Sequence, residues 1–177
     1  MFAVIFIPDF SLQAVLRHEP ELISRPAALM DPELTKLGII QLTATARIAG
    51  VCEGMTATQA IGRCTDLVIK SREPTQELAA TDVLMQTAYA FSPFIESTGP
   101  GVCTVELRGL RAQENEASAQ EWAEEIRKVL AEFYLDGRIG FAVTPELALL
   151  AARLEKLQTP NFRETPNLKL HTSPKIQ

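Results

Sequence analysis

The stretch Phe2-Ala3-Val4-Ile5-Phe6-Ile7 is a continuous apolar run closed by Pro8-Asp9. It has the length of a strand and falls far short of the roughly 20 residues that a membrane span needs. No basic residue precedes it, so it reads as a buried central strand and not as a signal peptide. A chain that opens on such a strand must supply partner strands and covering helices, and the rest of the sequence does so in alternation.

Phe10 to Arg17 follows with Phe10, Ala14 and Val15 at helical spacing, and Pro20 stops that helix. Two short apolar runs, 26–30 and 39–42, read as strands joined by the polar linker Asp31 to Lys36. Thr43 to Gly50 predicts a short helix ended by Gly50 at positive φ, and Gly54 predicts a turn. Thr56-x-x-Gln59 is a capping-box pattern opening a helix through Ala60, Ile61 and Cys64. Residues 66–70 read as a strand. Residues 76–91 read as a helix whose apolar face is Leu78, Val83, Leu84 and Ala88. Gly99-Pro100-Gly101 predicts a turn into strand 102–107. Ser118-x-x-Glu121 predicts a second capping box, opening a helix with Trp122, Ile126, Val129, Leu130 and Phe133 on one face. Asp136-Gly137 turns into strand 138–142. Thr144-Pro145-Glu146 then starts a helix carrying Leu147, Leu150, Ala151 and Leu154. From Thr159 onward three prolines and little apolar pattern predict a loose tail or truncated linker over 159–177. This order predicts an α+β fold, a sheet covered mainly on one face by helices.

Composition excludes several functions. The formal net charge is −5 and the 17 basic residues form no run, so the chain does not read as a self-sufficient nucleic-acid binder. Cys52, Cys64 and Cys103 have no C-x-x-C spacing, which speaks against zinc and for reduced core thiols in a reducing, cytoplasmic setting. His18 and His171 are isolated and read as surface residues, and Trp122 as core. The helix–turn–helix outline of Thr43 to Cys64 also admits a DNA-reading motif, for which Ala57, Thr58 and Ala60 are poor base readers.

The string Ala46-Arg47-Ile-Ala-Gly50-Val51-Cys-Glu-Gly54-Met55-x4-Ala60 is, on its residues alone, a small helical hairpin bearing a surface arginine. It resembles the fingers signature of the Y-family (lesion-bypass, UmuC/DinB-type) DNA polymerases, and the spacing matches without gaps. Ser24-Arg25-Pro26-Ala27-Ala28-Leu29, Phe91-Ser92-Pro93-Phe94-Ile95-Glu96 and Arg138-Ile139-Gly140-Phe141-Ala142 are similar to further family segments in the same order. The resemblance covers about residues 2 to 155, the palm and fingers only. It implies a ferredoxin-like βαββαβ palm of four to five strands over 1–30 and 74–158, with a small helical fingers insert over 31–73. It also implies that Arg47 contacts a nucleotide triphosphate, while the companion aromatic position holds Ala44.

A polymerase of this family holds two Mg²⁺ ions, about 4 Å apart, with carboxylates that activate the primer hydroxyl and stabilise the leaving pyrophosphate. The resemblance places Phe6, Gly101 and Val102 at those positions, and none of these side chains can bind a cation. It places the aromatic gate against ribonucleotides at Ser11 and a phosphate-binding lysine near Leu149. No metal is therefore expected, although active relatives use Mg²⁺. The pattern resembles most the non-catalytic ImuB-like branch, whose members join an error-prone polymerase to a sliding clamp or recombinase in damage-induced mutagenesis. DNA contact is then expected through domains outside this chain. Two alternatives stay open: a divergent translesion polymerase using relocated Asp9, Glu96 and Glu106, and a nucleotide- or protein-binding module without chemistry.

Overall fold

Four strands, β1 (Phe2–Phe6), β5 (Ile95–Gly99), β6 (Val102–Glu106) and β7 (Arg138–Ala142), form one sheet in the order β5-β6-β1-β7 with every neighbour antiparallel. The apolar run at the N-terminus is thus a central strand, hydrogen-bonded on both edges. The computed structural model describes residues 1–33 and 38–154. The expected tail over 159–177 and His171 lie outside the described residues, as does part of the linker after Asp31.

The β1 alternation assigns two faces. Ala3, Ile5 and Ile7 join the main core with Cys103, Val105, Ile139 and Phe141. That core is closed by helices α4 (Pro74–Phe91) and α5 (Glu116–Glu132), through Leu84, Ala88, Trp122, Ile126 and Leu130. Trp122 lies in this core as expected, edge-on to Phe91 and Phe141 at centroid distances of 6.1 and 5.9 Å. The opposite side of β1 points Val4 and Phe6 toward helix α6 (Pro145–Arg153), which crosses β1 and β7. The order β1-α4-β5-β6-α5-β7, with the first strand between the third and fourth, is the ferredoxin-like βαββαβ arrangement.

A second sheet is built from β2 (Ala27–Met30), β3 (Ile39–Leu42) and β4 (Val68–Ser71), with β2 central, antiparallel to β3 and parallel to β4. Between β3 and β4 lie α2 (Ala44–Ile48) and α3 (Ala57–Arg63), which bury Ala46 and Ala60 against Ala28, Ile39, Leu42 and Val51. The insert is therefore strand as well as helix, and one of its strands comes from before residue 31. The Thr56–Gln59 capping box forms reciprocally, and Gly50 takes φ 85°. Helix α1 (Phe10–Leu16) joins the two sheets, with Leu12, Val15 and Leu16 packing on Ala27 and Leu29.

Four local expectations fail for physical reasons. Helix α5 begins at Glu116, because Asn115 Oδ1 accepts the Ser118 N–H at 2.9 Å and caps it; Ser118 lies inside the first turn and is not the cap. Phe133 is exposed, because the helix has ended and the chain turns away there. On α6 the leucines 147, 150 and 154 face outward, and Ala148 and Ala152 make the contact with the sheet. A Cβ at Gly140 of β7 would overlap the Ala148 carbonyl oxygen and the Ala152 amide nitrogen. The helix lies so close to the strand that only small side chains fit between them. Leu78 likewise points to solvent, while Ala80, Leu84, Thr87 and Ala88 are the buried face of α4.

Candidate functional site

The end of β1 and the start of β6 meet at one end of the four-stranded sheet. Phe6 is the register partner of Val102, and the Ile7 N–H donates to the Gly101 carbonyl at 2.8 Å. The structure thus brings Phe6, Gly101 and Val102 together. Phe6 and Val102 share a face with α6, and Leu149 lines the same crevice. Gly101 has φ 67°, and a Cβ there would fall 2.7 Å from Cβ and Cγ of Phe10. Both the left-handed backbone and the phenyl ring exclude any larger residue unless Phe10 moves.

The acids considered as substitutes are dispersed. Glu106 points to the same side of the sheet as Val102 but pairs with Phe2, four residues along the strand, about 13 Å away at 3.3 Å per residue. Its carboxylate is 2.7 Å from Arg108. Glu96 is exposed on β5 opposite Thr104. Asp9 precedes α1 in a left-handed conformation (φ 45°) and makes no capping hydrogen bond. Among the described residues, no three His, Cys, Asp or Glu side chains converge in a way that could hold a metal ion.

Asp9 is instead the junction between the two sheets. With Thr43, Ala44 and Arg138 it lines a cleft of about 590 Å³. Burial raises its pKa above the ordinary carboxylate range, opposed by Arg47 and Arg138 and reinforced by Glu53. Arg47, at the end of α2, is exposed and lies 3.7 Å from the Glu53 carboxylate, a loose surface pair. The Ser11 hydroxyl bonds Glu77. Asp9 supplies a pH test. A carboxyl whose folded pKa is raised binds more protons folded than unfolded, so stability falls as pH rises from about 4 through the folded pKa. Asp9→Asn is expected to remove that fall while tolerating positive φ. Urea midpoints of wild type and variant across pH 4 to 7 check it, and parallel profiles would refute it.

Several residues that matter here carry no motif. Gln41 Oε1 accepts the Leu12 N–H at 2.7 Å, and Thr43 Oγ1 accepts the Ala27 N–H at 3.0 Å; these bonds dock β3 on α1 and β2. Arg153 places its guanidinium 5.4 Å from the centre of the Phe6 ring. It sits one helical turn past Leu149, so helical spacing from that position was the available signal. His18 is exposed. Of the thiols, Cys103 is buried, with its pKa pushed up to about 11 by burial, but Cys52 is exposed, so not all three belong to a core. No helix among the described residues is long and apolar enough to cross a membrane.

Residues 5–153 match the impB/mucB/samB family. The chain belongs to that family. Its fold agrees with solved Y-family structures. An insertion ternary complex of Dbh DNA polymerase superposes with a TM-score of 0.72 at 18% identity, over 86% of this chain and 46% of that one. DinB from Sulfolobus solfataricus gives a TM-score of 0.73 at 17% identity, over 90% and 47%. The impB/mucB/samB chain described here therefore spans just under half the length of these structures. No curated protein matches its sequence.

Proposed function

We propose that this impB/mucB/samB chain is a palm-and-fingers module that does not catalyse nucleotide transfer and serves as an accessory or assembly component in translesion synthesis and damage-induced mutagenesis. In this reading the palm spans 1–30 and 74–158 and the fingers 31–73, with β2 (Ala27–Met30) lending its strand to the sheet of the fingers. The observation that supports this is the meeting of Phe6 with Val102 beside a Gly101 that has no room for a side chain. A two-metal mechanism needs carboxylates where the attacking and leaving oxygens lie. Here that place carries a phenyl ring, an isopropyl group and a bare α-carbon. A rebuilt set from Asp9, Glu96 and Glu106 is disfavoured by their separation. DNA would be engaged through further domains, and the partners in this reading are an error-prone polymerase, a sliding clamp or a recombinase, as for the ImuB-like branch.

Primer extension with Mg²⁺ or Mn²⁺ tests the inactive reading. No template-dependent addition is expected, and Mn²⁺ titration followed by electron paramagnetic resonance is expected to show no saturable site. Template-dependent addition lost in Asp9→Ala or Glu106→Ala would overturn the reading in favour of relocated carboxylates.

A further inference from the structure

Helix α6 carries an apolar stripe on the side turned away from the sheet. Val143, just before its cap, keeps 73% of its surface, and Leu147, Leu150 and Leu154 keep between 46% and 51%. The steps from 143 to 147, 150 and 154 are four, three and four residues, so these side chains line up along one face in the repeat by which helices pair. Ala148 and Ala152 on the opposite side make the contact with the strands, so the sheet cannot cover the leucines as well. Glu146 and Arg153 both flank the stripe on the side of the crevice beside Phe6. They stand two turns apart, about 10.5 Å along the axis, too far to pair with each other. Arg153 rests over the Phe6 ring, and neither residue has an ion-pair partner among the described residues. The other flank carries Thr144 and Ala151 and no charge.

We propose that the α6 stripe is the contact between two copies of this chain, laid antiparallel about a twofold axis that passes the helix near Ala148 and Leu149. A twofold contact sets one patch against itself, so a residue before the axis meets one the same distance after it. Leu147 then meets Leu150 of the second copy, and Val143 meets its Leu154, because both pairs are centred between Ala148 and Leu149. Glu146 and Arg153 are centred within about a residue of the same point, on one flank, so each Glu146 lies opposite the Arg153 of the other copy. A parallel pair would set Glu146 on Glu146 and Arg153 on Arg153, at a cost in repulsion. The leucines alone fit any apolar helix; opposite charges at the two ends of one flank fit a reversed copy of the same helix. Four apolar side chains a copy place the contact at the low end of specific interfaces, under about 1,200 Å² in total, so the dimer is reversible. The inference does not rest on the inactive reading, and nucleotide addition in the extension assay would leave it standing.

Sedimentation velocity of the full chain across a concentration series tests it. The mass is expected to rise from one copy toward two and to stop there, because a twofold contact closes on itself. Leu150→Glu is expected to hold the protein at one copy throughout, with its circular dichroism unchanged since the side chain is exposed. Leu78→Glu, which places the same charge on the exposed face of α4, is expected to dimerise like the wild type. Charge reversal reads the geometry. Glu146→Arg and Arg153→Glu each set like charges against each other twice, and each is expected to weaken association by at least about tenfold. Mixing the two variants in equal amounts is expected to restore the dimer, because every facing pair is then of opposite sign. The double variant in one chain is expected to dimerise by itself. A single copy at every concentration, the result if these leucines serve a different protein, would overturn the proposal. So would growth beyond two copies, equal loss in Leu78→Glu, or charge variants that stay apart when mixed.

Discussion

Gly140→Ala is expected to lower the stability of the protein by about 3 kcal/mol or more, the upper end of overpacking penalties. The added methyl has nowhere to go. It would overlap the backbone of α6 at Ala148 and Ala152, and backbone cannot rotate aside as a side chain can. The helix must lift off β7, and lifting it uncovers Val4 and Ala148, which are buried beneath it. For a chain of this size the loss corresponds to a fall in Tm of roughly 6–12 °C. Hydrogen exchange would locate the damage, with protection lost first in α6 and β7 and retained in α4 and α5. A variant melting with the wild type would mean that α6 does not lie against β7 at this distance. The same contact holds Arg153 over the Phe6 ring.

Arg72→Met is the second large effect. Arg72 lies just past β4 and donates from Nε and Nη2 to both Glu77 oxygens, at 2.7 and 2.9 Å, and from Nη1 to Asp31 at 3.0 Å. The three residues join the second sheet to the first turn of α4. Glu77 and Asp31 keep only 12% and 8% of their side-chain surface, while Arg72 keeps 37%. Removing the cation strands two nearly buried carboxylates side by side. A fully buried pair broken in this way costs about 3–5 kcal/mol, and the partial exposure of Arg72 brings the expected loss to about 2–3 kcal/mol at neutral pH. The pH dependence carries the signature. The Arg72 side chain holds the Glu77 carboxyl below the ordinary range, and the Glu33 amide together with Arg72 does so for Asp31. A carboxyl with a depressed folded pKa gives stability that is complete above its unfolded value of about 4 and lost as pH falls through the folded value. The wild type should therefore lose stability below pH 4 more steeply than Arg72→Met. Two denaturation curves of equal slope through that window would show that the ions contribute nothing to the junction.

Much of this architecture was legible in the residues. The Thr56–Gln59 box, the Thr144-Pro145 start and the turn at Gly99-Pro100-Gly101 each depend on neighbours a few positions away. Local chemistry therefore sets them wherever the chain folds. The apolar run 2–7 could only be a buried strand. The α5 cap was misplaced because Asn115 and Ser118 are both good caps, and the choice depends on where the preceding chain delivers the backbone. The outward turn of Leu147 and Leu150 was not legible, because helical periodicity marks the apolar residues and not the distance to the neighbouring strand. Gly140 sets that distance.

The site divides in the same way. The sequence alone determined that Phe6, Gly101 and Val102 cannot bind a metal through their side chains, since that follows from composition at three positions. It also determined the spacing that places Arg47 on a short helix before a glycine turn. Only the tertiary structure decided that those three positions meet, because a register between β1 and β6 joins residues almost a hundred positions apart. It alone decided that Gly101 must stay a glycine, through the Phe10 ring, and that Asp9 and Glu106 stand apart from the site and from each other. Arg153 reaches the Phe6 ring because a bare α-carbon at Gly140 lets one helix lie against one strand, a contact between backbones that no side-chain pattern records.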